Sequence, residues 1–131
     1  MTEPEPYFAV PAQKPTESGR FGQVGDLGSV ELPGGPTLRP LLGKNVMLSF
    51  AHYEPHTEAP LHAHEEEQLF VMLEGELEVE LDGEVRLLHP GDVALIPPWV
   101  PHRVTAGDSP AYQLDVFNPP RQGILDRLPP E

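Results

Sequence analysis

The stretch HAHEEEQLFVMLEG, from His62 to Gly75, decides how this chain folds. Its second half, Leu69-Phe70-Val71-Met72-Leu73, is apolar throughout. A strand that is apolar on both faces is one that lies between two layers. Side chains alternate along a strand, so residues two apart point the same way. His62 and His64 have that spacing, and both imidazoles can reach one ion. Gln68 follows at the same parity and faces the same interior if the strand stays regular, with Phe70 and Met72 deeper on that face. Glu65 and Glu67 have the opposite parity and point away. Glu66 shares the inward parity and competes with Gln68 as a fourth ligand. Gly75 stands where the strand must turn.

Downstream, Glu76-Leu77-Glu78-Val79-Glu80-Leu81 alternates strictly between acidic and apolar residues, the pattern of a strand with one wet face. Asp82-Gly83 is a dipeptide favoured in two-residue hairpin turns, and Glu84 to Leu88 returns as the partner strand. His89-Pro90-Gly91-Asp92 marks another turn. Val93 to Ile96 is a short apolar strand stopped by Pro97-Pro98. Val100 to Val104 and Tyr112 to Phe117 are the last two strands, and Val46 to Phe50 is an early one. Arg121 to Leu128 has the makings of a short helix. Short strands at ~8–12-residue spacing, separated by turn signals, indicate an all-β sandwich or barrel. The barrel is placed at residues 28–120, with an extended Pro-rich arm over 1–27 and a tail over 121–131. Residues 1–20 of the arm are either a loose tail or a strand that pairs with the barrel or a neighbouring subunit, using Tyr7, Phe8 and Val10 to pack.

Composition narrows the function classes. The chain has 131 residues, which is one domain's worth. Its 18 prolines and 12 glycines argue against long helices. It has no cysteine, so disulfides, thiolate metal sites and a Cys nucleophile are excluded. The net charge of -13, with only 8 Lys and Arg, argues against nucleic acid as a partner. No apolar run approaches ~20 residues, so no membrane span is expected. The acidic, Pro-containing start lacks the pattern of a secretory signal, and a cytoplasmic location is the expectation.

The order of these signals resembles the cupins. That family's first motif runs Gly, five residues, His-x-His, three or four residues, Glu, six residues, Gly. Here His62, His64 and Gly75 match, Gln68 stands where Glu is usual, and His56 replaces the opening Gly. The second motif runs Gly, five residues, Pro-x-Gly, two residues, His, three residues, Asn. In GDVALIPPWVPHRVTA, residues 91–106, Gly91, Pro97 and His102 match, while Trp99 replaces the Gly and Ala106 the Asn. The resemblance spans roughly residues 38–120. It implies a double-stranded β-helix (jelly roll) and one divalent transition metal held by His62, His64, Gln68 and His102. It also implies a small-molecule substrate and pairing into a homodimer. Imidazole ligands do not choose among Zn, Ni, Fe, Mn and Cu. A neutral Gln in place of Glu leaves a divalent site near about +2 instead of about +1. Such a site binds its metal more weakly, draws an anionic ligand more strongly and is a better Lewis acid.

A second set of residues lies near the end of the chain. By alternation Asp115 and Phe117 share a face. An acid in an otherwise apolar late strand is either paired with a rim Arg or is a general acid/base whose pKa is set by burial. Arg121, after two prolines, is either a surface charge or a bidentate clamp for a carboxylate, and Arg39 is a candidate to assist it. The Asp-x-Phe-x-Pro-Pro-Arg ending, with a His, His, Gln, His metal set, resembles a cupin subgroup from pectin and alginate breakdown. Those enzymes convert 4,5-unsaturated uronates to linear keto forms. The resemblance implies catalytic roles for Asp115 and Arg121 and substrate binding by Phe117. The alternatives are a metal-dependent dioxygenase and a non-catalytic cupin that binds a small ligand or a metal.

Overall fold

A computed structural model describes residues 5–130. Among these residues the strands are β1 (Val30–Glu31), β2 (Thr37–Leu42), β3 (Met47–Tyr53), β4 (Glu58–His62), β5 (Glu67–Glu74), β6 (Leu77–Leu81), β7 (Glu84–Leu88), β8 (Val93–Ile96), β9 (His102–Ala106) and β10 (Ala111–Asn118). One short helix, α1 (Gln122–Leu125), follows. The strands form two antiparallel sheets, ordered β1-β2-β3-β10-β5-β8 and β4-β9-β6-β7. From β3 onward the chain passes repeatedly between the sheets, the winding of a double-stranded β-helix.

Alternation sets the core. β3 buries Met47, Ser49, Ala51 and Tyr53, and its neighbour β10 buries Ala111, Gln113, Asp115 and Phe117. Phe70 and Met72 of β5 meet Leu77, Val79, Val104 and Ala106 of the opposite sheet. Burying each of the larger apolar side chains contributes roughly 1.5–3 kcal/mol. Ser49 and Ala51 are small and stand opposite Asp115 and Gln113, so polar side chains of β10 are not crowded from that strand. The β6–β7 hairpin turns on Asp82 (φ 49°) and Gly83 (φ 86°), the paired positive φ of a type I′ turn. Gly75 has φ 73°, and a Cβ there would lie 2.5 Å from the Pro110 carbonyl oxygen, so backbone contact holds this position to glycine.

Three expectations are corrected. β5 does not lie between two layers. Its inward residues Phe70 and Met72 are buried, but Leu69 is 46% exposed, as are Val93 (69%) and Leu95 (54%) on the adjoining edge strand. The ninth strand begins at His102 and not at Val100. Trp99 adopts a left-handed conformation just before it and donates its N–H to His64 O at 2.8 Å, which keeps this segment in a turn. Tyr7, Phe8 and Val10 are exposed and do not pack against the barrel of their own chain. Of the arm's described residues, only Pro6–Phe8 and Val24–Asp26 form regular structure, each a single 3-10 turn. Met1 to Pro4 lie outside the described residues. Among the described residues no helix is long and apolar enough to cross a membrane.

Candidate metal centre

His62 ends β4, His102 begins β9, and the two are register partners in the four-stranded sheet. Gln68 is on β5 of the other sheet. The segment from His62 to Gln68 is therefore not one regular strand. The chain leaves one sheet at His62, bends through residues 63–66 and enters the other at Glu67. That corner, and not strand parity, brings His64 beside His62. The three histidines each offer a ring nitrogen within 4.8 Å of the others, so this cluster could hold a metal ion. His64 and His102 are buried and His62 is partly so.

Backbone carbonyls fix the rings. Nδ1 of His62 lies 2.7 Å from Pro60 O, that of His64 2.9 Å from Glu66 O, and that of His102 2.9 Å from Val100 O. Each Nδ1 therefore carries the proton and donates it, leaving the Nε2 lone pair for a ligand bond. Burial, with Arg121 nearby, pushes His64 below its ordinary pKa. Burial, with the other two imidazoles and Arg121, pushes His102 down to about 4. His64 and His102 are thus biased toward the neutral form, the form that binds metals.

Two observations show that this donor set suits a cation. His102 Nε2 is buried without a hydrogen-bond partner. Gln68 Nε2 donates to Asp115 Oδ1 at 2.7 Å, which turns Gln68 Oε1 toward His64 Nε2, 3.0 Å away. With the His64 proton on Nδ1, both facing atoms present lone pairs. Two acceptors at that distance repel unless a cation is shared between them. Glu66 does not compete for that position. Its carboxylate is on the Nδ1 side of His64, 3.6 Å from Nδ1 and 3.6 Å from Arg121 Nε.

The cluster opens onto a cavity of about 280 Å³, lined among others by His62, Gln68, His102, Asp115, Phe117 and Arg121. Asp115 is buried, and its two oxygens accept from Gln68 Nε2 (2.7 Å) and Gln113 Nε2 (3.0 Å). Burial pushes its pKa up to about 6, although both amides and Arg121 favour the ionised form. The Phe117 ring meets His64 edge-on at 5.8 Å between centroids, and Arg121 lies 5.7 Å from the Phe117 centroid. Arg39 is not in the cavity. Leu38 takes the inward position on β2, so Arg39 points outward and donates to the carbonyl oxygens of Leu27 (2.6 Å) and Gly25 (3.3 Å). Sequence reasoning missed Gln113 and Tyr53, which also line the cavity. Gln113 has the parity of Asp115 and Phe117, and that was the available signal.

A family model described as "Cupin domain" matches residues 49–117, about half of the chain. The chain belongs to the cupin family. Among solved structures, this cupin is similar to an RmlC-like cupin from Shewanella frigidimarina NCIMB 400, with 26% identity over 81% of this chain and 96% of that one (TM-score 0.74). KdgF from Halomonas sp. shows 25% identity over 81% and 98% of the two chains (TM-score 0.74). TT1209 from Thermus thermophilus shows 27% over 76% and 96% (TM-score 0.65). No curated protein matches the chain in sequence. In this cupin the two non-glycine residues at motif glycine positions, His56 (φ 62°) and Trp99 (φ 68°), both have left-handed backbone. The usual glycine is thereby explained, since a left-handed non-glycine residue costs about 1–3 kcal/mol.

Proposed function

We propose that this cupin is a metal-dependent enzyme of small carboxylate-bearing substrates, and that its reaction is the ring opening and isomerisation of 4,5-unsaturated uronates. The observation that carries the reading is the meeting of an imidazole cluster, a buried carboxylate and a guanidinium in one sugar-sized cavity. His62, His64, His102 and the Gln68 carbonyl oxygen would hold one divalent metal, which supplies Lewis acidity toward a substrate oxygen. A neutral Gln68 keeps the positive charge of that site high and favours an anion.

The protein's own groups divide the work. Arg121 binds the substrate carboxylate, and Glu66 positions Arg121 beside His64. Asp115, poised near pH 6 by burial, moves the proton that ring opening requires. Gln68 and Gln113 orient its carboxylate through one amide hydrogen bond to each oxygen. Phe117 packs against the apolar face of the sugar ring and excludes water from it.

The test uses protein loaded in turn with Zn, Ni, Fe, Mn and Cu. Each form is incubated with the unsaturated galacturonate monomer, and loss of the alkene absorbance is followed. Acceleration that disappears on chelation and in Asp115→Asn is expected. A rate equal to buffer with every metal removes the assignment.

A further inference from the structure

The six-stranded sheet has a second face, turned away from the cavity, and strand register shows what it presents. One row across it reads Leu41, Leu48, Val116, Leu69, Leu95. The next row reads Arg39, Phe50, Leu114, Val71, Val93. Every position but Arg39 is apolar, and none is acidic, in a chain with 21 acidic residues. The rows cross five strands, about 19 Å from the first to the last. Arg39 turns its charge to the Gly25 and Leu27 carbonyls at the β2 edge, while at β5 and β8 the face is open. The outer face of the four-stranded sheet is different. There Leu87 and Val85 of β7 stand opposite Glu78 and Glu80 of β6, so carboxylates interrupt the apolar surface. Contiguous exposed apolar surface of this kind marks a contact site.

We infer that this face is a self-association surface, on which a second copy of the chain packs the same two rows about a two-fold axis. The charge selects the occupant. A second copy also carries a net charge of -13, and the acid-free face is where two copies meet without bringing carboxylates together. An anionic lipid surface is repelled by the same charge. A sheet face is also flat, so it fits another sheet better than it fits a small molecule, which needs a concave site. Two-fold contact requires a patch complementary to itself, and apolar rows on apolar rows are that. A stable pair needs about 800 Å² from each partner. The two rows supply the dry centre, and the N-terminal arm supplies the rim. Arg20 Nη2 anchors the arm to Leu42 O (3.0 Å) at the β2 edge of this face. Phe21 beside that anchor, and Tyr7, Phe8 and Val10 upstream, are exposed on their own chain. The described residues before Arg20 reach about 50 Å when extended, enough to cross a partner's sheet. The interface backs the strands that carry Gln68 and Asp115 inward, so each copy keeps its own cavity whole and open.

The experiment is sedimentation velocity on the full chain from about 1 to about 100 μM. Wild type is expected to sediment at twice the 14.4 kDa of one chain. Leu95→Glu and Val93→Glu, both at exposed positions of the edge strand β8, are each expected to raise the dissociation constant at least about tenfold. Leu87→Glu, on the outer face of the other sheet, is expected to leave it unchanged. The double variant Phe8→Ser/Phe21→Ser is expected to raise it about tenfold through the lost rim contact. Circular dichroism identifies the folded variants, and the second β8 variant keeps the comparison available if the first fails to fold. A wild type that stays monomeric over the whole range overturns the inference. So does a dimer that survives both β8 variants, or one that Leu87→Glu dissolves. A dissociation constant unchanged in the double variant removes the arm from the interface.

Discussion

Replacing Asp115 by Asn tests the burial of the site through the pH dependence of stability in metal-stripped protein. Burial raises the folded-state pKa of Asp115 from 3.8 to about 6. At ~1.4 kcal/mol per pH unit, a rise of roughly two units corresponds to about 3 kcal/mol. The sign follows from which state holds the proton. Between pH 4 and 6 the folded chain keeps a proton on Asp115 that the unfolded chain has lost, so this group stabilises the fold in mild acid. The benefit is lost as pH rises through 6. His102 acts oppositely. Its folded-state pKa falls from 6.5 to about 4, so stability tied to it is lost as pH drops through that interval. In wild type the two contributions offset each other. In Asp115→Asn the acid sensitivity of His102 is exposed. Urea unfolding followed by circular dichroism at pH 4 to 8 measures the difference between variant and wild type. Lost hydrogen bonds shift that difference equally at every pH. Its change between pH 8 and pH 4 isolates Asp115 and is expected to be about 2 kcal/mol, or about 1 M in relative urea midpoint. The variant gains relative to wild type at pH 8. A difference constant to within about 0.5 kcal/mol would show that Asp115 titrates as an ordinary surface carboxylate, and the account of the buried network would fail.

Other perturbations follow from the same geometry. Gln68→Glu should tighten metal binding, measured by competition with a chromogenic chelator, and should lower turnover on an anionic uronate; a rise in turnover would refute the charge reasoning. Arg121→Ala should raise KM for the uronate about 10–100-fold, the worth of a charge-assisted clamp, whereas Arg39→Ala should leave KM unchanged. Trp99→Gly should relieve the left-handed backbone and raise stability by about 1 kcal/mol, seen as a Tm increase of roughly 4 °C. His102→Ala should abolish the thermal stabilisation that added metal confers on wild type, because the shift depends on metal affinity for the folded state.

Most of the barrel was legible because its strands obey simple alternation. Glu76 to Leu81, Asp82-Gly83 and Glu84 to Leu88 each carry a local signal, and the hairpin formed where those signals put it. The outward face of β5 was not legible. Leu69 and Leu95 are apolar, and composition alone cannot say that no layer of the same chain covers them. At the site, the parity of Gln68 was readable, but the reason His62 and His64 converge was not. Strand parity assumed a regular segment, while the chain turns a corner between sheets over residues 63–66. Glu66 was misjudged for the same reason, since a corner reverses the meaning of parity. Arg39 failed because its charge was weighed without its register, and Leu38 holds the inward position. Gln113 was passed over because a neutral amide in a strand has no signature until its partners are known.

The division of the site between two sheets also fixes when it can exist during folding. Gln68 and Asp115 are 47 residues apart in the chain and meet only through the β5–β10 pairing. His62 and His102 meet only through the β4–β9 pairing in the other sheet. Neither pairing is local, and contacts between distant segments form late and slowly. No fragment short of the closed barrel presents the complete cluster. Nascent or partly folded chains thus offer a metal only loose, incomplete chelation, and tight capture becomes a report that the topology has closed.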